Sequence, residues 1–356
     1  MRILSPFALF AGLCCCAPVH AQLGERVRTM LNGDSAAAPD HDTTYITTYH
    51  SNLTISVVSK LQMVDIDLEQ DGGGGLEYST NSNEQYGVGV NYKWLSAEVT
   101  FNIPVFNQYD ASLGETNSRG FGLGYTGRRL WARGFWNNTQ GYYMDDPARW
   151  VAGWAEGDAP VVREDLETTT FMLSVNYALS GKGRFSQNAA LFQMERQKKS
   201  AGTFVAGLSA WSSDVAADSS LISPALMDTF QLATGFTGVE RTLIGLTIGY
   251  THTFAFWEKG FIHMAILPGV AYAQQTITVS PGEELSGTGT AAVTEFKFGA
   301  GFNGDRWYTA LTTAFYYSTT PIADKLGLGT NYGSVKIALG IRLGGPKVKA
   351  LQKVGL

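Results

Sequence analysis

An apolar residue at every second position is the feature of this sequence that most restricts its fold. From 332 to 343 the odd positions hold Gly333, Val335, Ile337, Leu339, Ile341 and Leu343, and the even ones Tyr332, Ser334, Lys336, Ala338, Gly340 and Arg342. The same two-faced pattern recurs over 86–93, 95–103, 171–177, 244–251 and 295–302. Side chains of a strand point alternately to opposite faces, so period two means strands with one apolar side. A soluble sandwich also alternates, but its outer face is large and well charged. Here the second face is Gly, Ser, Thr and Asn with isolated charges, and 16% of the chain is charged against 44% hydrophobic. That combination fits a transmembrane antiparallel β-barrel with a lipid-facing wall and a small, polar inner wall. The 41 glycines supply the inner face, and the mean hydropathy of -0.04 averages two opposite faces.

Turn lengths give the strand count. Five connections read as short: Trp94-Leu95, Gly127–Arg128, Ser180–Gly183, Trp257–Gly260 and Asn303–Asp305. Between them lie longer polar segments near 70–84, 106–118, 145–165, 197–237, 276–290 and 320–330. Short periplasmic turns alternating with long outer loops predict twelve strands, with both termini in the periplasm. Phe204–Trp211 and Met227–Phe236 could add a hairpin and give fourteen. The outward set Leu53, Ile55, Val57 gives way to Val64, Ile66, Leu68, which predicts a bulge. Pro268 falls inside a strand and cannot donate to its ladder. Strands near 130–143 and 184–196 have mixed faces. Trp94, Trp131, Trp257 and Trp307 sit at short turns, and Tyr86, Tyr142, Tyr143, Tyr272, Tyr316, Tyr317 and Tyr332 at the opposite ends, as two interfacial belts would require.

Residues 1–21 read as a secretory signal, with Arg2, the apolar run Ile3–Cys16 and Val19-His20-Ala21 before cleavage. Cys14, Cys15 and Cys16 all lie in it, so the processed chain has no disulfide and no cysteine metal site. Residues 22–51 are a polar periplasmic lead-in that can fold against the barrel mouth, 52–344 the barrel, and 345–356 a basic periplasmic tail. No later run of ~20 apolar residues follows, which excludes a helical membrane protein. A net charge of -5 argues against nucleic acid as the main partner.

Seven charged residues share the inner phase: Glu98, Arg133, Glu195, Glu295, Lys297, Lys336 and Arg342. Mixed signs in a twelve-strand lumen either pair and fill it or leave a narrow polar conduit or pocket, because an unpaired buried charge is costly. Arg196, Lys198 and Lys199, placed at an outer strand end, form either a solvated rim or a site for anionic groups such as lipopolysaccharide phosphates. Segment 145–165 carries six carboxylates with Trp150 and Trp154 in no known calcium spacing, and reads as an exposed aromatic surface for glycan. Gly72–Gly75 is a loop tip, since no Lys-Ser/Thr follows. A His-based hydrolase would need a nucleophile and a third, orienting group beside its histidine. Of the four histidines beyond the leader, His252 lies on the lipid phase, His263 inside near a periplasmic turn, and His41 and His50 in the lead-in. No cofactor or metal is expected.

Asp42-Thr43-Thr44-Tyr45-Ile46, Tyr78-Ser79-Thr80-Asn81, Gly87–Trp94, Phe185 and above all Glu195-Arg196-Gln197-Lys198-Lys199-Ser200-Ala201-Gly202 resemble domain-of-unknown-function family 4421, common in Bacteroidetes. The resemblance runs from about 42 to 343 and implies an outer-membrane barrel of unassigned role, so no catalytic residue carries over. The last strand stops near Leu343 rather than on a terminal aromatic residue, which would require an internal signal for the barrel-assembly machinery. Three functions follow: a narrow channel or binding barrel for small polar solutes, a surface barrel whose loops bind glycan or protein, and a lipid-modifying enzyme.

Overall fold

The computed structural model describes residues 40–345 apart from 71–73, 82–83, 104–109, 152, 181–182, 222–235, 280–282 and 324–325. Its strands are β1 (Ile46–Thr48), β2 (Asn52–Gln70), β3 (Gly74–Ser79), β4 (Glu84–Tyr92), β5 (Leu95–Phe101), β6 (Asn117–Thr126), β7 (Leu130–Met144), β8 (Val162–Ala178), β9 (Glu195–Gln197), β10 (Ala201–Ala216), β11 (Phe236–Phe256), β12 (Gly260–Val279), β13 (Glu283–Asn303), β14 (Trp307–Ala323) and β15 (Leu326–Gly344). Twelve of them, β2, β4–β8 and β10–β15, form one antiparallel ring that closes through β15 and β2. Closure leaves no open edge in the wall. β3 stands outside the ring, bridging β2 and β7 at the far end. The end where β2 begins and the chain turns at 93–94, 127–129, 257–259 and 304–306 is called proximal, the other distal.

Twelve strands are present, but one of them is not where the periodicity puts it. Residues 184–196 are no barrel strand, and Ser180–Gly183 is no tight turn: β8 connects to β10 through 179–200, which holds the short helix α1 (Gln187–Leu191) and β9. The mixed faces of 184–196 come from a capped helix, with Ser186 Oγ accepting from Ala189 N at 2.9 Å ahead of Gln, Asn, Ala and Leu. The missing strand is β10, whose outward positions Ala206, Ala210 and Ser212 blunt its alternation. Segments 276–290 and 320–330 are not long loops either, because β12 and β13 run on to Val279 and from Glu283, and β14 and β15 run to Ala323 and from Leu326. Nor is there a bulge in β2: its register with β15 is unbroken from Asn52↔Gly344 to Gln70↔Leu326.

These departures share one cause, a reversal of polarity along the wall. In β8 the outward residues Phe171, Leu173, Val175 and Tyr177 are followed distally by Arg163, Asp165, Glu167 and Thr169. Its inward residues change oppositely, from Ser174 and Asn176 to the buried Leu166. Exposed Ile244, Leu246 (65% exposed) and Ile248 in β11 likewise give way to Thr242 and Glu240, and Val270 (69%) and Tyr272 in β12 to Gln274 and Thr276. A contiguous exposed apolar surface of this size is unsuited to water. From Ile244 to Phe254 and from Ile262 to Tyr272 the band spans about ten residue steps, ~33 Å of strand. At a tilt of ~40° that projects to ~25 Å, the height of a lipid-facing band. Distal to it the barrel has a polar exterior and an apolar interior: Leu76, Tyr78, Tyr142, Met144, Leu166, Val215, Leu221, Phe236, Val239 and Ile277 form one buried cluster.

Pro268 is accommodated as its chemistry demands. The β11–β12 ladder is bonded at Thr247↔Gly269 and resumes at Tyr250↔Ile266, leaving the Pro268 position without a ladder bond to β11.

Candidate functional site

Two assemblies inside the barrel are built from ionisable groups. The first occupies the proximal mouth. β1 of the lead-in pairs with β9 through Ile46↔Gln197, Thr47↔Arg196 and Thr48↔Glu195. This two-stranded sheet and α1 are tied to the surrounding turns. Asn303 Nδ2 donates to the carbonyls of Ala189 (3.2 Å) and Glu195 (2.8 Å), and Asn188 Nδ2 donates to that of Thr126 (2.8 Å). Where α1 and the following residues approach the wall, the wall is glycine. A Cβ on Gly124 would stand 3.3 Å from Phe192 Cε1, and one on Gly299 3.4 Å from the Ala190 carbonyl.

Glu195 is the centre of this plug and is 0% exposed. It accepts from His50 Nε2 at 2.8 Å and from Arg128 Nη1 at 2.8 Å, with further bonds from Arg128 Nη2 and Ser186 Oγ. Burial by itself would raise its pKa, but the His50 hydrogen bond and the Arg128 charge hold it down at about 2. Burial would likewise lower His50, and its bond to Glu195 overrides that and raises it. Arg342 donates to the carbonyls of Gly304 and Gln193 and to Asn303 Oδ1 (2.6 Å), its guanidinium 3.9 Å from the Tyr49 ring centroid. Tyr49, pushed up to about 12 chiefly by burial, donates to Asp305 at 3.0 Å, and Arg196 pairs with the same carboxylate at 2.8 Å.

The placement of Glu195, Arg196, Lys198 and Lys199 therefore differs from the expectation. All four lie at the proximal mouth, not along the lumen or at the outer rim, because the strand that would have carried them outward is β10. Arg342 is on the inner face but covered by the plug.

The second assembly lies above the plug. Lys60, Glu98, Arg133, Lys297 and Lys336 line an internal cavity of ≈ 70 Å³, with Phe135, Tyr316 and Tyr332 toward its distal side and Leu191 of the plug among its walls. Lys336 Nζ donates to Glu98 at 2.9 Å, and Arg133 Nη2 stands 3.7 Å from the same carboxylate. Lys297 pairs with Glu295, two residues away on the same face of β13. Lys60 is 8% exposed, with its Nζ 5.9 Å from the Phe135 ring centroid. Among the described residues no carboxylate lies within 4.0 Å of it. Phe135 and Tyr332 stack at 4.4 Å, and with Met172, Trp211, Leu243 and Tyr316 they make an apolar layer between this chamber and the distal cluster. Sequence reasoning missed Lys60. It alternates correctly from Thr54 through Ser56 and Val58 on the inner face, but the expected bulge hid its phase.

The aromatic positions are mixed. Trp257 (88% exposed) and Trp307 project outward at the proximal edge of the apolar band, and Trp94, partly exposed, packs against Tyr125. Trp131 points inward instead, buried with Phe185 and Val205, because its partner Thr126 sits on the inner face. Tyr142, Tyr316 and Tyr332 are likewise interior, while Tyr272 is exposed. Buried His263 is bonded to Thr253 Oγ1 at 2.9 Å and Thr251 Oγ1 at 3.4 Å. Among the described residues no group of three His, Cys, Asp or Glu side chains is placed to hold a metal ion.

The family model described as "Domain of unknown function (DUF4421)" matches residues 40–342. No curated protein matches the chain. Among solved structures it is similar to the outer membrane protease OmpT from Escherichia coli, at 8% identity, 83% of this chain, 98% of that one and a TM-score of 0.43. It is also similar to the P. putida toluene transporter TodX (9%, 90% of this chain and 95% of that one, TM-score 0.27) and to OmpT of Vibrio cholerae (8%, 82% and 98%, TM-score 0.31).

Proposed function

The chain belongs to the DUF4421 family, and we propose that it is an outer-membrane barrel that binds a small polar solute in its internal chamber. The apolar band supports the location, and the short turns at the proximal end support a periplasmic orientation for that end. Export rests on the leader 1–21, and insertion on the barrel-assembly machinery. One observation carries the binding reading: a ≈ 70 Å³ cavity lined by five charged side chains, with the plug on its proximal side and apolar layers on its distal side. That volume takes about four or five water-sized groups, which suits a small solute and does not suit a wide diffusive pore. Binding is favoured over free passage because both ends of the lumen are filled.

Purified full-length protein in planar bilayers is expected to show no steady open-pore conductance. Equilibrium dialysis with small polar solutes is expected to show saturable binding at one site per chain. A steady porin-sized conductance, or no saturable binding of any solute, refutes the reading.

A further inference from the structure

Resting on that chamber reading, we infer that the solute is a small oxyanion, held by Lys60, Arg133 and Lys336. Charge balance points to it. Lys297 is matched by Glu295, but Lys60, Arg133 and Lys336 share the single carboxylate Glu98, so the chamber holds two cations in excess. Inside a partly enclosed lumen, uncompensated charge is costly unless a partner supplies the opposite sign. Among the described residues no second acid lines the cavity.

The donors also have the right form. Lys60 brings three N–H groups with no carboxylate within 4.0 Å among the described residues, and Arg133, 3.7 Å from Glu98, keeps most of its planar fork free for a bidentate acceptor. Thr312, lining the same cavity, offers a hydroxyl to a remaining oxygen. A tetrahedral anion of five heavy atoms, such as phosphate or sulfate, fits the ≈ 70 Å³ space, where a sugar would not. The aromatic side of the chamber, Phe135, Tyr316 and Tyr332, excludes water without offering a competing charge. Glu98 then orients Lys336 and keeps the empty site from carrying all three charges unpaired.

The test uses the full chain refolded in detergent in the presence of radiolabelled inorganic phosphate, so that access past the plug does not limit loading. Equilibrium dialysis is expected to give one phosphate per chain, displaced by sulfate. Lys60→Met, which keeps the stem against Phe135, is expected to weaken binding at least tenfold. Glu98→Gln is expected to tighten it, because Lys336 and Arg133 lose their internal competitor. A Lys198→Met/Lys199→Met double variant at the proximal surface is expected to bind as wild type. Cooperative unfolding of each variant establishes that it has folded. Weaker or unchanged phosphate binding by folded Glu98→Gln, or loss of binding in the surface double variant, overturns the inference. If glycerol or ammonium binds saturably and phosphate does not, the chamber reading stands and the oxyanion falls; if none of the three binds, both fall.

Discussion

Replacing Glu195 by alanine is expected to loosen the plug while leaving the wall intact. Its carboxylate is the shared acceptor of His50, Arg128 and Ser186, and it is wholly buried. Its removal leaves His50 without its carboxylate and Arg128 with only the exposed Asp40 at 3.4 Å, and breaking a buried pair from one side costs ~3–5 kcal/mol. The titration of the carboxyl gives a similar magnitude: a pKa of about 2 against an ordinary 4.5 corresponds to roughly 3 kcal/mol of stabilisation at neutral pH. At ~1.4 kcal/mol per decade this predicts an open fraction roughly a hundredfold larger. The assay is thiol accessibility at Ala190→Cys, a fully buried position on α1, with Cys14, Cys15 and Cys16 replaced. The rate of labelling by a pyridyl disulfide then reports plug opening. In wild type the Glu195 contribution is present above about 4.5 and lost as pH falls through about 2. The His50 contribution is present below 6.5 and lost as pH rises through its elevated folded value. Labelling, corrected for thiolate fraction, should therefore be slowest between about 4.5 and 6.5. A labelling rate for Glu195→Ala within about threefold of wild type would refute the anchoring role.

Arg342→Lys is expected to lower stability by ~2 kcal/mol in denaturant titration, since an ammonium cannot reproduce the contacts to Gly304, Gln193 and Asn303 and the stacking on Tyr49. Leu166→Ala in the distal cluster should cost ~2–5 kcal/mol, transfer and cavity terms together. In vesicles Leu246→Ala on the outer band should cost the smaller transfer part, because lipid fills the space; equal losses in urea unfolding would contradict the assigned faces. Brominated acyl chains should quench Trp fluorescence less once Trp257 and Trp307 are both changed to Phe, whereas Trp131→Phe should leave the quenching in place.

The barrel is legible because one chemical contrast, apolar out and polar in, repeats in strand after strand, from Val335–Leu343 to Leu95–Phe101. Legibility ends where that contrast reverses or vanishes. Distal to the apolar band the exterior is Glu240, Thr242, Gln274 and Thr276, so strand ends resemble loops. β10 carries alanine and serine at outward positions and is partly hidden, while Ser186–Leu191 mimics a strand with mixed faces although its serine cap and alanines favour a helical turn. Glu98, Glu295, Lys297 and Lys336 are identifiable as inward-facing because their strands alternate cleanly, whereas Arg133 lies on β7, whose faces are mixed. Glu195 is interior by way of the plug and not of the wall, and its partners His50 and Arg128 lie 145 and 67 residues away, a pairing no local pattern encodes.

The two ends of the lumen are filled by different forces, and the magnitudes decide which of them can more readily expose the chamber. Clearing the distal end would uncover ten buried apolar side chains, at ~1.5–3 kcal/mol each, or ~15–30 kcal/mol. Releasing the plug would uncover Ile46, Tyr49, Phe185, Phe192 and Met194, ~8–15 kcal/mol by the same measure, in addition to the ~3–5 kcal/mol ionic anchor at Glu195. The proximal route therefore costs less, and the part of its cost that rests on Glu195 and His50 varies with pH. The chamber's three shared cations and single carboxylate are thus coupled more closely to the compartment on the plug side than to the distal surface. That distal wall carries Glu167, Asp214 and Glu240 outward on β8, β10 and β11, a patch that repels an anion rather than gathering one.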